Sequence, residues 1–318
     1  MPGDSSTASG VNQGSQVYQN YGQINNTFIP SHERSRSHER YHQESTNIEN
    51  SDQDPPAEVY LEHFQYEAHL IPEDCQELAR MQFNIQGFAT DRLLTLIRHP
   101  QLHSWLLVDT PAVLLVNGGS YSLPQSETSC YCAKLVESIR FTMESNNDTL
   151  ILAFFCGRHR DSQDVYSKPS ELMMSLLLQL VESCRGLSPA HLQACLSSLV
   201  PSDVVSICDV FERLVGELDE DFRVSIVIDG VEFFGEPADR EEETLEIVRR
   251  LVGVCKKPWR ATMKLLLASP SRSAFVEYLF GDGEVLTLPK YCLPGVTYGD
   301  PTLVEMVLED VDANKSLA

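Results

Sequence analysis

The residues best equipped for chemistry fall in short stretches at the ends of apolar runs. Gly118-Gly119-Ser120-Tyr121-Ser122 follows the run Ala112 to Val116 and precedes a helical pattern from about Glu127 to Met143. A glycine turn between a buried strand and a helix presents successive backbone N–H groups, which can cradle phosphate with a lysine beside them. No lysine or arginine occurs between Gly118 and Ala133. The turn runs on through Leu123-Pro124-Gln125-Ser126, and Glu127 would repel an anion. A second stretch, Ile228-Asp229-Gly230-Val231-Glu232, puts a carboxylate at the end of the apolar run Val224 to Ile228, where α/β sheets place ligand groups. Asp229 there can hold Mg²⁺, or it can cap a helix or satisfy loop amides. Phe233 follows Glu232 directly, so no second acid stands beside it to help activate water. The third stretch runs from Lys264 through Ser269-Pro270-Ser271 to Arg272, whose guanidinium can sense a γ-phosphate or remain an ordinary surface group.

A different chemistry shares the first stretch. Gly118-Gly119-Ser120-Tyr121-Ser122 mimics the start of a G-x-S-x-G nucleophile elbow, with Ser122 replacing the closing glycine. An α/β hydrolase using Ser120 needs an acid and then a histidine late in the chain, yet no histidine follows His191. Asp148 with His159, or Asp161 or Asp164 with His191, would be the remaining partners. Either choice puts the base before most of the sheet, which argues against hydrolysis.

The elements that must position these residues read as alternating strands and helices. Leu150 to Cys156, Val224 to Ile228, Met263 to Ala268 and Glu284 to Leu288 read as further strands. Pro169 to Cys184, Pro189 to Leu199, Asp203 to Leu218, Thr244 to Val254 and Ala274 to Phe280 read as helices. Continuous rather than alternating apolar strands mark a parallel sheet covered on both faces. The fold class is therefore α/β, a three-layer, mostly parallel sheet spanning about 100–290. Ahead of it, 57–99 reads as a helical lead-in, with two short amphipathic helices from about Pro72 to His99 broken near Gly87 and Asp91 capping the second. Trp105 and Leu106 then lead through Pro111 into the first strand.

Composition bounds the partners. Across 318 residues, 42% hydrophobic content supports a sizeable core, and a net charge of −22 argues against nucleic acid and anionic membrane. The acidic runs Glu217 to Asp221 and Asp239 to Glu243 read as solvated helix ends and loops, with metal binding the lesser alternative. No run reaches the ~18 apolar residues of a membrane span, and Met1 to Gly10 lacks the apolar core of a signal peptide. Of the nine scattered cysteines most sit in apolar contexts and read as buried reduced thiols, which points to a cytoplasmic or nuclear compartment. Residues 1–56 are polar and predict a disordered tail. Within it, residues 11–29 interleave amides, aromatics and β-branched residues, a composition that suits self-stacking strands or a plain flexible tail. The repeat Ser31-His32-Glu33-Arg34 and Ser37-His38-Glu39-Arg40 reads as a solvated linker. Residues 291–318 read as a short C-terminal extension.

The order of these features resembles the fungal NACHT-type, STAND-class P-loop NTPases, similar to the nephrocystin-3-like N-terminal domain. The resemblance rests on Cys75-Gln76-Glu77-Leu78, Phe83, Arg92 and Trp105-Leu106 ahead of the first strand. The Gly118 turn follows at the Walker A place. Phe154-Phe155-Cys156 and Ser170 to Val181 come next, then Ile228 to Glu232 as Walker B and Leu267-Ala268-Ser269-Pro270 as the sensor strand. It implies a five-stranded P-loop NTPase-like sheet of order 5-1-4-3-2. It also implies a site at Gly118, Gly119, Ser120, Asp229, Glu232 and Arg272, with Asp229 as Mg²⁺ ligand only if Mg·ATP or Mg·GTP binds. The missing lysine turns the expectation toward a non-catalytic domain without a cofactor, acting on a protein partner or on itself through 11–29. Weak ATP or GTP binding without efficient hydrolysis is the alternative. The stretch after Leu288 is short, so the winged-helix and repeat regions of a full signalling NTPase are not expected.

Overall fold

A computed structural model of the chain describes residues 56–81, 88–119, 126–143, 148–183, 187–235 and 238–289. The tail expected before Pro56, including 11–29, the break near Gly87, Ser120 and the segment 121–125, and the C-terminal extension lie outside the described residues. Four helices precede the first strand: α1 (Ala57–His63), α2 (Leu70–Met81), α3 (Phe88–Ile97) and α4 (Pro100–Leu107). Then come β1 (Ala112–Asn117), α5 (Glu127–Met143), β2 (Thr149–Phe155), α6 (Pro169–Ser183), α7 (Pro189–Leu196) and α8 (Val204–Gly216). The remainder is β3 (Arg223–Asp229), α9 (Glu232–Gly235), α10 (Ala238–Lys256), β4 (Thr262–Ser269), α11 (Ala274–Glu277) and β5 (Val285–Thr287).

The sheet is parallel throughout, in the order β2-β3-β4-β1-β5, which is the 5-1-4-3-2 order implied by the resemblance. Period-2 alternation splits each strand between two cores. Leu115, Leu152, Phe154, Ile226, Ile228, Leu265 and Leu267 face α6, α8 and α10. Leu114, Val116, Ile151, Phe155, Val227 and Leu266 face α2, α3, α4 and α5. Burial on both faces explains why the strands read as unbroken Val/Ile/Leu runs rather than alternating ones. The lead-in helices share the second core with the sheet, through Ile71, Cys75, Leu78, Leu93, Leu96 and Trp105.

Local chemistry fixes several boundaries. Ser188 caps α7 by accepting from the His191 amide at 3.2 Å, with Pro189 in the first turn. Asp203 caps α8 by accepting from the amides of Val205 and Ser206 at 3.2 and 3.3 Å. The sequence reading falls short in four places. It does not anticipate helices α1, α4 and α9. Asp91 lies inside the first turn of α3 rather than at its cap. Helix α10 begins at Ala238, because the acidic run from Asp239 sits in its first turns, where the helix dipole favours carboxylates. Helix α11 ends at Glu277, short of Phe280. The seven described cysteines are free and buried, as their apolar contexts suggest.

Both edges of the sheet are covered by glutamine amides. At the β2 edge, Gln179 of α6 accepts from the Ala153 amide and donates to the Ala153 carbonyl, each at 2.9 Å, as a neighbouring strand would. At the β5 edge, Gln101 of α4 donates to the carbonyls of Gly283 and Val285 at 2.9 and 3.3 Å. Each amide occupies a position on the edge where an added strand would otherwise pair.

Candidate functional site

Parallel register brings the candidate residues together at the carboxyl edge of the sheet. Asn117 pairs across from Ser269, and Asp229 across from Ala268, so β1, β3 and β4 end at one level. The turn after β1 is held against the end of β4. Gly118 N–H donates to the Ser269 carbonyl at 2.7 Å, and Gly119 N–H to the Ser271 carbonyl at 3.1 Å. A Cβ on Gly118 would lie 2.4 Å from the Pro270 carbonyl oxygen, so only glycine fits this approach. Gly119 has φ +65°, and a Cβ there would meet the Leu288 carbonyl oxygen at 2.7 Å. The glycines expected to cradle phosphate therefore serve the closure of β1 on β4 and β5.

Asp229 and Glu232 do come together. Asp229 is buried at the end of β3, and its Oδ1 has no partner among the described residues. Burial, reinforced by the Glu232 charge and opposed by a hydrogen bond from Ser129, pushes its carboxyl up to about 8. Glu232 Oε1 accepts from the Ser271 amide at 3.3 Å and from its hydroxyl at 3.4 Å, while Oε2 is unpartnered among the described residues. Its carboxyl is also raised by burial. Between them, Gly230 takes φ +73°, and a Cβ would strike Phe233 Cδ2 at 2.9 Å and the Gly157 nitrogen at 3.0 Å. Phe233 is buried, with the Arg160 guanidinium carbon 4.5 Å above its ring. It fills space and does not activate water.

Arg272 turns away from the acids. It forks onto Glu277 with two bonds of 2.8 Å, and the same Glu277 accepts from Asn117 Nδ2 at 3.4 Å. Asn117 Oδ1 accepts from the Ser273 amide at 3.1 Å, so this network pins the loop after β4 to the end of β1.

The sequence reading assigns no role to the cation that does reach the start of α5. Arg92, in α3, donates through Nε to Glu127, the first residue of α5, and through Nη1 to the Pro289 carbonyl. Both side chains are almost wholly buried, and Arg92 Nη2 has no partner among the described residues. Glu127, expected as a bare repulsive charge, is instead a neutralised anion at the N-terminus of the helix that follows the glycine turn, where the dipole favours negative charge. Nothing in the local spacing signals the pair, whose members lie 35 positions apart.

The hydrolase constellation does not assemble among the described residues. His159 has both ring nitrogens engaged, Nδ1 with Asp164 at 2.8 Å and Nε2 with Asp74 at 3.0 Å. Asp148 stands at the opposite end of β2, about 20 Å away along the strand. His191 is exposed and faces Glu217 at 3.5 Å rather than Asp161 or Asp164.

A family model described as the nephrocystin 3 N-terminal region matches residues 93–269, over half of the chain. The chain belongs to this family. The match takes in the glycine turn, Glu127, the Asp229–Glu232 pair and the end of β4, and begins one residue after Arg92. With the sheet order it makes the domain P-loop NTPase-like. No curated protein matches the sequence. Among solved structures, the Orc1 protein of Aeropyrum pernix, in complex with DNA, is similar at 14% identity and a TM-score of 0.39, over 71% of this chain and 50% of that one. The chain thus spans about half the length of that protein. Among the described residues no helix is long and apolar enough to cross a membrane, and no cluster of three or more His, Cys, Asp or Glu is arranged to hold a metal.

The site divides when tested against a Mg·nucleotide. The cation half fits: the unpartnered oxygens of Asp229 and Glu232, with the Ser129 hydroxyl nearby, are hard donors of the kind Mg²⁺ takes. The phosphate half does not fit. Among the described residues the Gly118 and Gly119 amides are committed to carbonyls, Arg92 and Arg272 are paired with Glu127 and Glu277, and Arg160 lies over the Phe233 ring.

Proposed function

We propose that this is a P-loop NTPase-like domain that works without nucleotide turnover, as a protein-interaction or regulatory module. The observation that carries the reading is the commitment of the Gly118 and Gly119 amides to the carbonyls of Ser269 and Ser271. Phosphoryl transfer depends on preorganised positive charge around the γ-phosphate. The stretch from Gly118 to Ala133 supplies no lysine or arginine. The partner is a protein or a second copy of the chain, met through residues 11–29. Glutamine caps on both sheet edges favour that route over strand pairing by the folded domain. We further read the protein as cytoplasmic and of fungal origin, following the resemblance and the buried, unbridged cysteines.

The test is a melting experiment on the full chain with millimolar Mg·ATP and Mg·GTP. A ligand at 100 times its Kd stabilises by about 2.7 kcal/mol, which is readily seen as a rise in Tm. No shift is expected. A shift that vanishes in Asp229→Ala would overturn the reading in favour of weak nucleotide binding, for which the unpartnered Asp229 and Glu232 oxygens are the favouring observation. For the tail, a peptide of residues 11–29 that never forms cross-β fibres would remove the self-association route.

A further inference from the structure

Helix α2 is tied to the loop after β2 by two consecutive basic residues. Arg158 Nε lies 3.4 Å from Asp74 Oδ1, and its Nη2 pairs with Glu77 one turn further along α2. His159 reaches the other Asp74 oxygen at 3.0 Å and, on its far side, Asp164 at 2.8 Å. Neutral imidazole has one N–H and one lone pair, and an ionised carboxylate only accepts. Two carboxylates, one at each ring nitrogen, therefore match the doubly protonated ring. Asp74 also faces Arg158, and Asp164 accepts from the Tyr166 amide at 2.8 Å through its other oxygen.

We propose that His159 is a proton-operated latch that holds α2 against the carboxyl edge of the sheet while its ring is charged and releases it when the ring is neutral. The groups facing the latch come from every side. Asp74 and Glu77 lie on α2, and Arg158, Asp164 and Tyr166 belong to the loop. Glu67 reaches it through Tyr166, Lys168 and Glu171 stand at the start of α6, and Phe154 of β2 packs at 5.2 Å between ring centroids. Burial disfavours the cation, but the hydrogen bonds and charges of Asp74 and Asp164 outweigh it and hold the ring above its ordinary 6.5. The sign follows. The contribution is complete below about pH 6.5 and is lost as pH rises through the folded-state value.

The experiment uses the full chain, with side-chain ¹⁵N spectra of the histidines and amide hydrogen exchange of residues 70–81 from pH 5.5 to 8.5, corrected for intrinsic exchange rates. His159 should titrate above 6.5, and exchange in 70–81 should accelerate over the same window, about tenfold for each unit by which its value exceeds 6.5. In His159→Gln the exchange should be fast and flat with pH. If that variant does not fold, Asp164→Asn, on the half-exposed side, must move the window to lower pH. A His159 ring already neutral at pH 6, or an exchange profile unchanged in either variant, would overturn the latch.

Discussion

Arg92 and Glu127 form a buried ion pair that joins the lead-in to the first residue of α5, and Arg92 continues to the carbonyl of Pro289 where β5 ends. One guanidinium thus ties three chain segments together at the start of α5. Breaking a buried pair from one side leaves an uncompensated charge and costs about 3–5 kcal/mol. Arg92→Ala should therefore be severely destabilising in urea unfolding. The double change Arg92→Leu with Glu127→Leu should recover most of the loss, since well-packed apolar replacements of buried pairs are often neutral. A double variant as unstable as the single one would show that the Pro289 contact, rather than the pair, carries the effect.

The buried acid at the end of β3 sets a pH dependence of opposite origin to the latch. Asp229 holds its proton in the folded state up to about 8, against 3.8 in a free side chain. Between those values the folded state binds more protons than the unfolded one, so stability falls as pH rises, by at most about 1.4 kcal/mol per pH unit. Asp229→Asn should flatten this slope and melt higher than the parent at pH 8, with little difference at pH 4. Equal pH slopes in thermal melts of the two proteins would refute the assignment. A rise in the parent's Tm on adding Mg²⁺ alone at pH 8, absent in the variant, would show that the unpartnered oxygens accept a cation.

How much of the molecule is legible in its sequence depends on sequence distance. The limits of α5, Glu127 to Met143, and the strand β1 follow from apolar period and flanking turn residues, which are local signals. Helix α4 reads as a connector, although Pro100 in its first turn is a start signal; its cap is His99, whose ring nitrogen accepts from the Gln101 amide at 3.3 Å. Histidine is not a residue one expects there. Asp229 and Glu232 lie in one stretch, so their pairing is visible without the fold. Arg92 with Glu127, and His159 with Asp74 across 85 positions, are out of reach, because only the packing of α2, α3 and α5 on the sheet brings them together. For Arg272 the sequence leaves a phosphate sensor and a surface group both open, although its ion-pair partner, Glu277, is only five residues away.

The glycine turn offers a test of whether Gly118 and Gly119 are structural. At Gly118 the added methyl group must push against backbone carbonyls of Ser269 and Pro270, which cannot rotate aside. Overpacking of this kind costs about 1–3 kcal/mol or more, so Gly118→Ala should lower stability by at least that amount. Gly119→Ala adds a left-handed backbone penalty of roughly 1–2 kcal/mol to its own clash. Gly253, inside α10 with open space where a methyl group would project, is the control of opposite sign. Gly253→Ala should stabilise by about 0.5–1 kcal/mol through helix propensity. Chemical denaturation of the three variants checks the ordering, and a neutral Gly118→Ala would sever the link drawn between this turn and β4.

The edge of β2 yields the prediction that bears most directly on association. Gln179 is buried, is braced by Ser175 at 3.0 Å, and satisfies both the N–H and the C=O of Ala153. Gln179→Leu keeps similar bulk and removes both partners, leaving buried polar groups that each cost about 1–3 kcal/mol. The same change reopens a ladder position on an otherwise apolar edge strand, so the variant should also self-associate at concentrations where the parent does not. Gln101→Ala at the other edge removes a cap that is half exposed, and water can replace it; its cost should stay below about 1 kcal/mol. Sedimentation velocity on both variants separates the outcomes. If Gln179→Leu sediments like the parent while losing stability, the glutamine satisfies the backbone without guarding the edge, and the β2 edge does not associate even when uncapped.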